Sequence, residues 1–266
     1  MQLSKYITKY IEKKKIRKVF MLSGTGSIYL DDAFSKSKRL SYICARHEAA
    51  AVMMANATSK LNGTVGVVVA TTGPGGTNCT TGVASCWIDS VPTLFISGQV
   101  YLNQTIKKTG LRQIGVQEFD IINMVKSSTK YAVIVKDPSK IKYHLQKAYH
   151  ISTEGRPGPV WIDIPADIQN ADINLKKLPA GISSNPDMGF LTVNTLDEKT
   201  RLKIAGIKDV QRLPMQYFEL KYGMYNLKAF GIGLESKKEK VLIEKQKTTN
   251  IDINLVKKKK SKSVRY

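Results

Sequence analysis

The chain has 266 residues, 42% of them hydrophobic, enough to bury one or two cores. No apolar run reaches the roughly 18–20 residues of a membrane-spanning helix, and charges interrupt the first eighteen positions, so neither a span nor a secretory leader is expected. The formal charge is +21, and three cysteines (Cys44, Cys79, Cys86) without a CxxC pair point to free thiols in a reducing compartment, the cytoplasm.

In chain order, Leu3, Ile7, Tyr10 and Ile11 have helical spacing. Lys18 to Leu22 reads as a strand, followed by the turn Ser23-Gly24-Thr25-Gly26-Ser27 and a short helix from Ile28 to Phe34. A buried strand from Leu40 to Ala45 leads through Arg46-His47 into a helix from Glu48 to Leu61, which Asn62-Gly63 ends as a C-cap. The buried strand Val65 to Ala70 breaks at Thr71-Thr72-Gly73-Pro74-Gly75-Gly76-Thr77-Asn78 before a helix from Asn78 to Trp87. A strand from Thr93 to Ser97, a loop from Tyr101 to Gln117, and helix, strand, helix and strand up to Ile164 complete the series. Six strands alternating with helices predict an α/β, doubly wound, mainly parallel six-stranded sheet with helices on both faces over residues 1–170. An irregular segment, 171–235, should follow, and then a basic, disordered tail, 236–266.

That tail holds eleven basic against three acidic residues, but it lacks interleaved aromatics and any nucleic-acid motif. A solvated tail is therefore expected, with no nucleic-acid or membrane partner. Glu48 is the most informative titratable residue. At the start of a helix beyond a strand's end it either works as an acid/base or ligand-holding group, or simply complements the helix dipole. The glycines at Gly24, Gly26, Gly73 and Gly75 allow backbone to approach a ligand. They form neither a P-loop nor a dinucleotide fingerprint. His47, His144 and His150 form no ligand cluster, and no metal site is expected.

Arg46-His47-Glu48, Thr72-Gly73-Pro74-Gly75-Gly76-Thr77-Asn78, Asp89-Ser90-Val91-Pro92, Ile96-Ser97-Gly98-Gln99-Val100, Gln117-Glu118 and Gly155-Arg156-Pro157-Gly158-Pro159-Val160-Trp161-Ile162-Asp163-Ile164-Pro165 occur in this order. Together they resemble the N-terminal pyrimidine-binding domain of thiamine-diphosphate-dependent enzymes of the acetolactate synthase type. The resemblance implies the thiamine-diphosphate-binding fold for residues 1–170. It makes Glu48 the catalytic glutamate that hydrogen-bonds the cofactor's aminopyrimidine and so activates the thiazolium carbon. It places Gly24, Thr25, Gly26, Gly73, Pro74, Gly75 and Asn78 around the pyrimidine and Gln117 near the substrate, a 2-oxo acid such as pyruvate.

The resemblance also has departures. Thr25 stands where the family has glycine, and Val116 where acetolactate synthases have phenylalanine. The Gly-Asp-Gly run of the diphosphate-binding domain is absent, and Asn185 to Leu191 only faintly resembles that domain. The chain is thus expected to be a truncated carboligase or lyase that supplies the pyrimidine-side half-site. Thiamine diphosphate would be the cofactor, with Mg²⁺ only if a partner supplies the diphosphate half. A homodimer, or a chain carrying that domain, would be the partner, and activity alone is not expected. The alternative is a non-catalytic module that docks on a full-length enzyme.

Overall fold

In the computed structural model, residues 1–106, 109–176 and 178 are described, together with the backbone of the strands between residues 188 and 252. Two units divide the chain, Met1–Ile182 and Ser183–Tyr266. The first begins with α1 (Leu3–Lys13), β1 (Lys18–Met21), α2 (Ile28–Ser35), β2 (Ser41–Cys44), α3 (Glu48–Asn62) and β3 (Gly66–Ala70). It continues with α4 (Pro74–Asn78), α5 (Thr80–Ile88), β4 (Thr93–Gln99), α6 (Ile121–Val125), β5 (Tyr131–Ile134), α7 (Ile141–Thr153), β6 (Pro159–Pro165) and α8 (Ala166–Asn170).

The six strands pair in the order β2-β1-β3-β4-β6-β5, and every pairing is parallel. Side chains alternate between faces along each strand, and both faces are apolar, so both must be covered. On one face Phe20, Val68, Phe95 and Trp161 join Ala51, Val52 and Ala55 of α3 and Val83 and Cys86 of α5. Phe95 and Trp161, paired in register, stack with ring centroids 4.8 Å apart. Between them on the strands lie Val19, Val67, Val69, Leu94, Ile96, Val160 and Ile162, all buried, on the opposite face. α7 packs against β4, β5 and β6, and α1, α2 and α8 pack together. The doubly wound layout expected from the alternation is therefore what the backbone forms.

Three local differences have physical reasons. β2 is an edge strand with exposed Ser41, Tyr42 and Cys44, not a buried one, because nothing pairs along its outer side in the sheet. The helix after β3 starts at Pro74 and not at Asn78: Gly73 caps it with φ +59°, and proline is preorganised for the first helical position. Cys79 then separates α4 from α5. The short helix α8 was not anticipated, since five residues carry too little periodicity to read. Elsewhere the expected elements hold, including the Gly63 C-cap with φ 61°.

In the second unit, β7 (Met188–Asn194) pairs antiparallel with β10 (Met215–Lys221) and parallel with β13 (Thr248–Asp252). β11 (Gly223–Phe230) pairs antiparallel with β8 (Arg201–Ile204) and β12 (Lys237–Ile243), and β8 pairs with β9 (Gln211–Arg212). Thus β12 and β13 run within the stretch expected as a tail, while Lys257–Lys262 lies outside the described residues. No helix among the described residues is long and apolar enough to cross a membrane.

Candidate functional site

The sheet reverses its winding between β1 and β3: the chain goes outward from β1 to β2, then crosses back to β3. At such a switch point the loops leaving neighbouring strands diverge and open a crevice beyond the strands' C-terminal ends. The Gly24–Ser27 turn leaves β1 there and the Thr71–Gly73 turn leaves β3. β2 delivers Glu48 to the same end.

Glu48 opens α3 and is 5% exposed. His47 caps that helix, its Nδ1 accepting from the Ala49 amide at 3.1 Å, so His47 has a structural role. Asn78 Nδ2 donates to Glu48 Oε2 at 3.0 Å. Among the described residues nothing donates to Oε1, and Gly75 leaves it room: a Cβ there would lie 3.2 Å from that oxygen. Burial pushes the Cys79 thiol up, and the Glu48 carboxylate nearby adds to this, so Cys79 is no nucleophile.

Thr71 joins the two glycine turns. Its Oγ1 accepts from the Gly26 amide at 3.1 Å. A Cβ on Gly24 would sit 2.6 Å from Thr71, and one on Gly75 would sit 2.7 Å from Thr71 Cγ2. Gly73 needs its left-handed backbone, and a side chain there would run into the Gln117 carbonyl. The turn after β1 is held from the other side by Asp31, whose Oδ2 accepts from Gly24 N (3.2 Å) and Ser27 Oγ (2.9 Å). Burial pushes the Asp31 carboxyl up to about 6, against those two hydrogen bonds, which pull it down.

Gly24, Gly26, Gly73, Gly75, Glu48 and Asn78 are therefore gathered around Thr71. Pro74 and Asn78 are exposed above buried Glu48. Gln117 meets the cluster through its backbone, with φ 58°, and its side chain is exposed. Thr25 is exposed and lines a cavity of about 560 Å³ with Ser23, Asp31, Tyr42 and Cys44. That cavity lies on the β2 side of the turn, and Glu48 does not line it. Thr71 and Asp31 were not singled out by sequence reasoning; a hydroxyl between two glycine turns was the available signal for Thr71. No group of three or more His, Cys, Asp or Glu among the described residues is arranged to hold a metal ion.

Residues 1–124 match the family described as "Thiamine pyrophosphate enzyme, N-terminal TPP binding domain". The match lies within the N-terminal unit. Its relatives include the acetolactate synthase isozyme 3 large subunit of Escherichia coli K12, 33% identical over 190 residues, covering 71% of this chain and 32% of that protein. The probable acetolactate synthase large subunit of Methanocaldococcus jannaschii is 35% identical over 199 residues, covering 75% of this chain and 32% of the relative. The mitochondrial acetolactate synthase of Schizosaccharomyces pombe is 33% identical over 201 residues, covering 76% and 29%. The matches thus span about a third of the length of these relatives, and at 75% of this chain they reach beyond residue 170. The thiamine pyrophosphate enzyme family that residues 1–124 match implies thiamine diphosphate as cofactor. The cluster fits its pyrimidine end: a buried carboxylate with one oxygen held and the other open, walled by backbone that glycines keep bare.

Proposed function

We propose that this chain supplies the pyrimidine side of a thiamine-diphosphate site in a carboligase or lyase of the acetolactate synthase type. The observation that carries the reading is the Glu48 carboxylate, buried at the switch point, with Oε2 fixed by Asn78 and Oε1 open beneath Gly75. Glu48 Oε1 would hold a proton shared with a pyrimidine ring nitrogen. Asn78 keeps the carboxylate from rotating, and Gly24, Gly26, Gly73, Pro74 and Gly75 flank the ring. Thr25 stands at the edge of the β1 turn. When bound, the cofactor supplies the electron sink for carbon–carbon bond making and breaking. Gln117, beside Gly73, faces a 2-oxo acid substrate such as pyruvate.

Mg²⁺ takes octahedral oxygen coordination, and among the described residues no three or more His, Cys, Asp or Glu side chains come together to supply it or to anchor the diphosphate end. A second copy or a chain with a diphosphate-binding domain would provide them. Exposed apolar side chains on α3, the helix that Glu48 opens, and on its neighbour α5 support such a partner: Met53, Leu61, Trp87 and Ile88. Nothing observed favours a purely docking module.

The test is a titration of thiamine diphosphate with Mg²⁺ into isotope-labelled protein, followed by amide resonances. Shifts should concentrate at Glu48, Gly75 and Asn78 and vanish in Glu48→Gln. Shifts of equal size in that variant, or shifts confined to other regions, would refute the assignment.

A further inference from the structure

One buried polar network lies outside the cluster around Glu48. Gln99 ends β4 and is 3% exposed. Its Oε1 accepts from the Val100 amide at 3.0 Å, where the chain leaves the sheet. Its Nε2 donates to the Phe119 carbonyl at 3.0 Å, where the chain returns toward α6. The same Nε2 donates to Asp163 Oδ2 at 3.2 Å. Asp163 Oδ1 accepts from Ser97 Oγ at 2.5 Å, and Ser97 Oγ accepts from Trp161 Nε1 at 2.7 Å. Ser97 and Asp163 face each other in register on β4 and β6.

A primary amide has two ends of opposite character, and here each end is used. Turning Gln99 over would put its NH₂ against the Val100 amide and its oxygen against both the Phe119 carbonyl and Asp163. The Val100 amide and the Phe119 carbonyl thus select this orientation, and Asp163 Oδ2, when ionised, reinforces it. Inside the loop Glu118, 8% exposed, accepts from Ile106 N and from Ile114 N at 3.1 Å, which holds the loop's own turns. Gln117, two residues before Phe119, rests with its carbonyl against Gly73.

We propose that Gln99 and Asp163 are positioning residues that clamp the two ends of the segment between Val100 and Phe119 and thereby set Gln117 against the Gly73 turn. The role of Gln117 toward a substrate rests on the function proposed above; the clamp does not. The charged neighbour of Asp163 among the described residues is Asp120, which joins burial in holding the Asp163 carboxyl up at about 7. A carboxyl at position 99 would therefore stand beside Asp163 and Asp120.

Arg112 lies exposed inside the segment, so trypsin cleavage after it reports the clamp. The rate should be measured on the whole chain without ligand, relative to wild type at each pH. In Gln99→Met, which keeps bulk and loses all three hydrogen bonds, cleavage should rise at least tenfold while amide protection of β1 and β3 is retained. In Gln99→Glu the protonated side chain can still donate to Phe119 O, so cleavage should stay near wild type at pH 5.5 and rise about tenfold by pH 8.5. A merely space-filling role for Gln99 predicts wild-type cleavage of Gln99→Met, which keeps the bulk. Cleavage of Gln99→Met within twofold of wild type would overturn the proposal. Should Gln99→Met fail to fold, a flat pH profile for Gln99→Glu would overturn it instead. No cofactor enters the assay, so a failure of the cofactor reading leaves this result untouched.

Discussion

The buried carboxyl of Asp163 gives the fold a pH dependence of unusual sign. Asp163 is 2% exposed, and burial pushes its carboxyl up from 3.8 to about 7, Ser97 and Gln99 pulling the other way and Asp120 adding to the rise. Between those two values the unfolded chain is ionised at this residue while the folded chain keeps its proton. The folded state then binds more protons than the unfolded one, and stability falls as pH rises. From pH 5 to pH 8 a carboxyl raised by about three units costs about 2–3 kcal/mol, at about 1.36 kcal/mol per unit. Asp163→Asn removes the titration at nearly constant shape. It also leaves Ser97 or Gln99 with one poorly placed partner, a constant loss of about 1 kcal/mol. The assay is urea unfolding at pH 5, 6, 7 and 8, read by Trp161 fluorescence in a Trp87→Phe background. Subtracting the variant from wild type cancels the titrations of Asp31 and His144. The difference should move against wild type by about 2–3 kcal/mol between pH 5 and pH 8. A difference that stays constant across the range would refute the reasoning.

Other consequences are simpler to measure. Gly73→Ala combines φ +59° with a clash on the Gln117 carbonyl, and should cost about 2–4 kcal/mol, lowering the melting midpoint by roughly 5–10 °C in calorimetry. Tyr131→Phe removes the 2.7 Å hydrogen bond to His144 Nδ1. Burial holds that imidazole down at about 4, so it is neutral at pH 7, and the orphaned nitrogen should cost about 1–2 kcal/mol in urea unfolding. With a thiol reagent, Cys44 should label in the native protein, while Cys79 and Cys86 label only in denaturant, read by peptide mass spectrometry. Equal labelling of all three without denaturant would contradict the packing of α4 and α5.

The parallel sheet was legible because Val65 to Ala70 is an uninterrupted apolar run and Val160 to Ile164 is broken only by Asp163, both flanked by turn residues, and a run buried on both faces has that appearance. The same reasoning misplaced the Leu40–Ala45 run as buried, since edge position depends on strand order, which hydropathy does not carry. The start of α4 was hidden by Pro74-Gly75-Gly76, poor helix formers that a left-handed Gly73 and a proline at the first position nevertheless set into a turn of helix. Glu48 and the glycine turns drew attention through their local pattern and the family resemblance. Thr71 and Asp31 did not, and Gln99 and Asp163 stood only inside motifs of the resemblance without a role, because the partners of Thr71, Gln99 and Asp163 lie up to 66 residues away and no spacing encodes such pairs.

The position of β6 bears on how the fold is reached. It lies between β4 and β5, so β5, synthesised earlier, has no neighbour in the sheet until residues 159–165 arrive. No pair in this sheet is a hairpin, and loop closure must precede every strand contact. A nascent chain stopped before residue 159 therefore exposes the Phe95 face of β4 with Trp161 still missing. Folding of this unit should become cooperative only once β6 has emerged, and until then the free edge of β4 is the surface a chaperone would need to shield.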